Sequence, residues 1–280
     1  MKYILIFLVL PVLFSCEKTV DNADLPEEGS KLVVHSYAME GTDTLFASLS
    51  YSEPIFSGNG PAEIPDLDKA DVRLIKGSHH YPFTYDSVSD HFYLATDIHK
   101  GKTYGLRAST PDFPFVEGET TVPYQAPSDL DLVKQELVSN EFEDNIVLTF
   151  EFTDIANEAN YYRLLLYKYE QQGPTINDST WQLYNWVWGN NQRLNVFTDD
   201  KHEGKKIRKR ASINVFQGHQ RIRIVLLSTD KHYFLYHDKL NKAEMENPFS
   251  EPVIPYSNME NGLGVFAAYT KTSKEFIISH

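Results

Sequence analysis

Thr44-Leu-Phe-Ala-Ser-Leu-Ser-Tyr51 decides the fold class, because Leu45, Ala47, Leu49 and Tyr51 fall on one side of it and Thr44, Phe46, Ser48 and Ser50 on the other. In an extended chain alternate side chains point to opposite faces, so this run predicts a half-buried β-strand. Comparable runs surround it: 31–38 before it, then 70–76, 80–85, 90–94, 100–108 and 113–122. Gly77-Ser78 marks a turn, and Ser57-Gly-Asn-Gly-Pro61 with Pro65 marks a longer loop. Short strands separated by turns every ~8–12 residues indicate a sandwich. Residues 31–123 are therefore expected to form a seven-stranded β-sandwich.

Pro123-Tyr-Gln-Ala-Pro127 reads as a stiff hinge, so a second unit is expected over 128–280. Its strand candidates are 130–138, 145–152, 161–169, 180–188, 194–197, 211–216, 220–227, 265–269 and 275–278. The last of these carries few charges and is expected at the sheet centre. One segment breaks the period. Tyr233, Tyr236, His237 and Leu240 recur at helical spacing, with Thr229 or Asp230 as N-cap and Asn247-Pro248 as the stop. The first unit is immunoglobulin-like in its strand count, and the first three strands of the second resemble a fibronectin type III sandwich in spacing. The fold expected is mostly β: two tandem immunoglobulin/fibronectin-III-like sandwiches, the second with one inserted helix at about 230–246.

A chain of 280 residues suits two domains. Its 26 Lys+Arg against 39 Asp+Glu give a net charge of −13, which argues against nucleic acid, whose binding needs a basic footprint. The same balance argues against adhesion to anionic lipid by charge. The 17 Tyr, 17 Phe and 3 Trp fit strand faces that are half buried and half wet; an aromatic platform for carbohydrate is the sharper reading.

The N-terminus reads as an address. Lys2 supplies charge, 3–14 is apolar apart from Pro11, and Ser15 precedes Cys16, the only cysteine. A charged start, an apolar core and a small residue make a secretory signal, and ending on Cys makes it a lipoprotein signal. The apolar run is too short for a membrane span, which needs ~20 residues. Residues 1–15 are expected to be removed, Cys16 to take a diacylglycerol, and 16–30 to act as a lipidated, flexible acidic tether. With Cys16 lipidated, no thiol is left for a disulfide, a metal or a nucleophile.

Catalytic signatures are absent: there is no H-E-x-x-H, G-x-S-x-G, P-loop or G-x-G-x-x-G. His79 and His80 are adjacent in a strand and face opposite ways, which does not suit one metal. Thr198-Asp-Asp-Lys-His-Glu-Gly204 gathers acids without the order of a calcium loop and reads as a hairpin connection. Lys205, Lys206, Arg208, Lys209 and Arg210 form a basic run, either the solvated face of a strand or a dock for an acidic partner or phosphate. Trp181, Tyr184, Trp186 and Trp188 are the densest aromatic stretch. Trp186 and Trp188 share a strand face and, with Tyr184, are the candidate ligand-binding residues; core or interdomain packing is the plainer reading.

Asn247-Pro-Phe-Ser-Glu-Pro252, Ser257-Asn-Met-Glu-Asn-Gly-Leu-Gly-Val-Phe266, Asn160-Tyr-Tyr-Arg163, Asp199-Asp200 with Gly204, and Ala70-Asp-Val-Arg-Leu74 with Gly101-Lys-Thr-Tyr104 carry a family likeness. Together with the lipoprotein signal they resemble the lipoproteins grouped as domain of unknown function 4249. The resemblance implies an outer-membrane lipoprotein typically encoded beside a TonB-dependent receptor, with no known catalytic residues, cofactor or metal. The expected function is that of a non-enzymatic accessory or ligand-binding partner of such a nutrient receptor. The chain would be held by its N-terminal lipid and face the periplasm or the cell surface. A glycan- or peptide-binding surface module independent of a receptor is the second reading, and a hydrolase the third.

Overall fold

The computed structural model describes residues 30–52, 67–139, 144–171, 179–184, 196–200, 202–214, 218–244 and 255–279. The expected signal, Cys16 and nearly all of the tether lie outside the described residues. The first part supplies β1 (Leu32–Met39), β2 (Thr44–Tyr51), β3 (Asp71–Lys76), β4 (His79–Pro82), β5 (Thr84–Asp86), β6 (His91–Ala95), β7 (Thr103–Thr110) and β8 (Phe113–Thr121). The second supplies β9 (Asp131–Ser139), β10 (Asp144–Thr153), β11 (Tyr161–Gln171), β12 (Ser179–Leu183), β13 (Val196–Thr198), β14 (Lys206–Asn214), β15 (His219–Thr229), helix α1 (Lys231–Glu244) and β16 (Leu263–Ser279). The protein is mostly β and sandwich-like, with one α-helix among the described residues.

Three sheets organise the described residues. The largest runs β12-β11-β15-β16-β1-β2-β6-β5, with β13 also on β11; β14-β10-β9 and β4-β3-β7-β8 are the smaller two. Alternation drives the layering. Leu32, Val34, Leu45, Ala47, Leu49 and Phe92 of the large sheet meet Val72, Leu74, Leu106, Ala108 and Val116 of the four-stranded sheet in one core. Tyr162, Leu164, Leu166, Ile222, Ile224 and Leu226 meet Ile146, Leu148, Phe150, Phe152, Ile207 and Ile213 in a second.

The sequence leads to two strands at 265–269 and 275–278. The structure has one strand of 17 residues there, about 53 Å from end to end at ~3.3 Å per residue. Its first part pairs parallel with β1, from Val33↔Leu263 to Met39↔Tyr269. Its second part pairs antiparallel with β15, from Thr229↔Tyr269 to His219↔Ser279. Phe266 and Ala268 thus enter the first core and Ile278 the second, so one strand serves both. No turn is needed between the two parts, because Thr270 and Thr272 continue the β-branched pattern.

The Asn258-to-Phe266 motif makes this strand possible. The Asn258 side chain accepts from the Phe266 N–H (3.0 Å) and donates to the Phe266 carbonyl (2.8 Å), standing in for a neighbouring strand. Gly264 has φ +106°, and a Cβ there would collide with the Val34 carbonyl oxygen; only glycine lets β16 lie against β1 at that point. Asp230 N–H donates to the Ala268 carbonyl (2.9 Å), and the Asp230 carboxylate caps α1 by accepting from Tyr233 N–H (2.8 Å) and from the Thr120 hydroxyl. Of the two caps expected, Asp230 is the one used.

Two further differences have local causes. The strand expected at 80–85 is split: β4 pairs with β3 and β5 with β6, so the chain changes sheets at Phe83. Pro82 has no N–H to continue a ladder, and Phe83 N–H bonds Val72 O instead (2.8 Å). The strand expected at 211–216 begins at Lys206, so it includes most of the basic run.

Candidate functional site

The large sheet has an outer face that the smaller sheets do not cover. On it stand His35, Tyr37 and Met39 of β1, Arg163, Leu165 and Tyr167 of β11, Arg221, Arg223, Val225 and Leu227 of β15, and Val265, Ala267, Tyr269, Lys271 and Ser273 of β16. Helix α1 packs across the middle of this face through Tyr233, Phe234 and Tyr236, with Val225, Leu227, Val265 and Ala267 beneath it. The contact is aromatic and polar. Arg163 Nη1 donates to the Tyr233 hydroxyl (2.7 Å), His35 Nε2 meets the Tyr236 hydroxyl (2.7 Å), and Tyr37 stacks on His237. Burial holds the His237 imidazole down to about 3, with Arg163 and His35 adding to the effect, and burial raises the Tyr37 phenol.

Beside the helix the same face opens into a groove of about 370 Å³. Its floor is Leu165, Val225, Leu227 and Ser273; Tyr233 closes the helix end and Trp181 the far end, with Tyr167, Tyr269, Arg223 and Lys271 along the sides. Trp181 is held firmly. The Arg223 guanidinium lies 4.1 Å from its ring centre, that of Arg221 5.4 Å, and Tyr169 meets it edge-on at 5.1 Å. Arg223 and Arg221 share one counter-ion, Glu275, at 2.6 and 3.0 Å, and Arg223 and then Arg221 hold its carboxyl below the usual range. Burial pushes the Tyr269 phenol up to about 12, so it remains a neutral donor at physiological pH.

Trp186 and Trp188 lie outside the described residues. Tyr184 turns the other way, packs on the second core and accepts from Asn214 N–H (3.1 Å). Trp181, on β12 and three strands from the lysine-bearing β16, is the described member of that aromatic stretch that lines the groove. Tyr167, Arg223 and Lys271 each sit in an unremarkable alternation; only the pairings Tyr167↔Arg223 and, four positions along β15, Leu227↔Lys271 bring them to one face.

Other sequence features find structural partners. Lys206 and Arg208 pair with Glu151 (2.5 and 2.6 Å), Arg210 approaches Glu136 (4.0 Å), and Lys209 lies over the Phe197 ring (3.9 Å). The basic run is a strand with a charged outer face. In the acidic connection, Asp199 accepts from Asn160 N–H (3.1 Å) and Glu203 from Asn157 N–H. Asp154 accepts from the Tyr162 hydroxyl (2.8 Å) and Gly204 N–H (2.9 Å). These carboxylates fasten turns. Among the described residues no group of three His, Cys, Asp or Glu could hold a metal ion. A second groove, about 680 Å³, is floored by Gly105 and Gly118 and flanked by Glu119, Glu260 and His232. No helix among the described residues is long and apolar enough to cross a membrane, which says nothing of a β-barrel.

The model of a protein family, Domain of unknown function (DUF4249), matches residues 19–275. The chain belongs to this family. The DUF4249 match includes every residue of the groove and of the Asn258–Phe266 motif. No curated protein matches the sequence. Among solved structures, a cytokine receptor complex aligns over 88% of this chain and 95% of its own at 7% identity and a TM-score of 0.26. A Salmonella alpha-2-macroglobulin variant aligns over 92% of this chain and 16% of its own at 10% identity, TM-score 0.26. A Bacteroides uniformis protein proposed to bind carbohydrate aligns over 71% and 90% at 9% identity, TM-score 0.21. At such scores none bears on the function of a DUF4249 chain.

Proposed function

We propose that this chain is a non-enzymatic, lipid-anchored outer-membrane protein that presents the Trp181 groove to a ligand and works beside a TonB-dependent nutrient receptor. The observation that carries the binding role is the groove itself. Aromatic rings and a lysine line an open recess, and the most strongly shifted titratable groups, Tyr37, Tyr162 and His237, serve packing elsewhere. The lipoprotein signal ending at Cys16 supports the anchor, and the family resemblance supports the receptor.

The geometry suits a tethered binder. β1 starts beside the first residues of β16, and Lys271 and Ser273 lie eight and ten positions beyond Leu263, roughly 26–33 Å farther along the strand at ~3.3 Å per residue. A groove so placed stands off from the point where the tether enters the fold. Two measurements test the reading. Cys16→Ala should abolish incorporation of labelled palmitate and release the protein from membranes; retention of both would remove the anchor. Cross-linking in native membranes followed by affinity purification should recover a TonB-dependent receptor, and recovery of the protein alone would remove that partner.

A further inference from the structure

Resting on the reading of the Trp181 groove as a ligand site, we propose that its ligand is an acidic oligosaccharide, recognised through a carboxylated pyranose ring.

Charge gives the sign. On this part of the face Arg221, Arg223 and Lys271 stand against one carboxylate, Glu275, in a chain whose net charge is −13. Glu275 is occupied by the two arginines, and Lys271, exposed at the groove's side, has no ion pair among the described residues. A ligand carboxylate supplies what Lys271 lacks.

Shape and polarity give the class. A pyranose ring has an apolar C–H face and a polar rim. Trp181, Tyr167 and Tyr269 offer ring surface, and the Tyr167 and Tyr269 hydroxyls have no hydrogen-bond partner among the described residues. Arg223, Arg221 and Tyr169 hold the indole in place before a ligand arrives, which lowers the entropy lost on binding. A peptide fits less well. Peptides that bind sheets add a strand at an edge and use its main-chain donors and acceptors. This groove lies on a sheet face, where the backbone of β11, β15 and β16 is already paired and only side chains project.

The test is calorimetric titration of the detergent-solubilised full chain with four probes: oligogalacturonate, oligomannuronate, the methyl-esterified oligogalacturonate, and a tetrapeptide of Asp and Glu. At least one free uronate should bind, and esterification should weaken that binding tenfold or more. Lys271→Gln should cost the acidic sugar about tenfold and leave the ester unchanged. Trp181→Ala should abolish binding, and Ile277→Ser, on the same strand outside the groove, should change nothing; circular dichroism confirms that each variant is folded. Equal binding of acid and ester would overturn the requirement for charge. Tighter binding of the peptide, or no binding of either uronate, would overturn the sugar. Binding of any probe that depends on Trp181 would keep the groove as the site even so, and receptor recovery by cross-linking reads the wider function independently.

Discussion

Between Gly264 and Ala268 every residue of β16 is buried, whereas between Lys271 and Ile277 the exposed positions are Lys271, Ser273, Lys274, Glu275 and Ile277. The two stretches belong to one strand and differ in what covers them. The first lies between the four-stranded sheet on one side and α1 on the other. The second is covered on one side alone, by the three-stranded sheet. Where both faces are closed, the strand can only hold the fold together; where one is open, side chains are free to meet a ligand. That contrast sets a buried stretch and an exposed one a few residues apart on one strand.

The contrast can be broken first at its closed end. Gly264→Ala puts a Cβ into the Val34 carbonyl and a side chain at φ +106°, and should cost more than about 4 kcal/mol. Phe266→Ala, fully buried in the first core, should cost about 3–5 kcal/mol. Denaturant unfolding followed by tryptophan fluorescence, which reports on the second half, should register both losses. A transition unmoved in that probe would mean that the two cores do not depend on the shared strand.

The next effect belongs to the helix that closes the first stretch. His237 is held down to about 3 against 6.5 in a free chain. A depressed pKa contributes stability that is complete above pH 6.5 and is lost as pH falls toward 3, so lowering pH from 7 to 5 should remove about 2 kcal/mol. Around the imidazole stand Arg163, His35, Tyr37, Tyr233 and Tyr236, none of which gains a proton in that interval except His35, itself lowered by burial. His237→Gln should flatten the slope measured by urea unfolding at the two pH values, and an unchanged slope would assign it to other groups.

Smaller effects mark the border and the open end. Thr270 Oγ1 is buried without a hydrogen-bond partner among the described residues where the two stretches meet, so Thr270→Val should raise stability by about 1 kcal/mol, read as a higher melting temperature. Ile277→Ser, at a residue 72% exposed, should change stability by less than about 0.5 kcal/mol. A large loss there would show that the open face is covered in solution.

Much of this was legible one strand at a time. Leu45, Ala47 and Leu49 alternate inward as their spacing demands, and Tyr233, Tyr236 and His237 recur at helical spacing because that face of α1 meets the sheet. The groove was less legible. Trp181 stood out by type, and Tyr184, three positions on, falls on the opposite face and packs inward; which of the two faces is open is not a local property. Lys271 is one charge in a polar run until Tyr269, Arg223 and Tyr167 are brought alongside by pairing across three strands.

The sequence by itself determined the periods, the start of the helix to within one residue and the turn glycines, since each depends on residues within a few positions of one another. Only the tertiary structure decided that 263–279 is one strand shared by two cores, that Gly264 must yield to Val34 some 230 positions earlier, and that Trp181 and Lys271 flank the same recess. Those outcomes rest on register between distant segments, and register is set by the packing of whole faces, which no single run of residues contains.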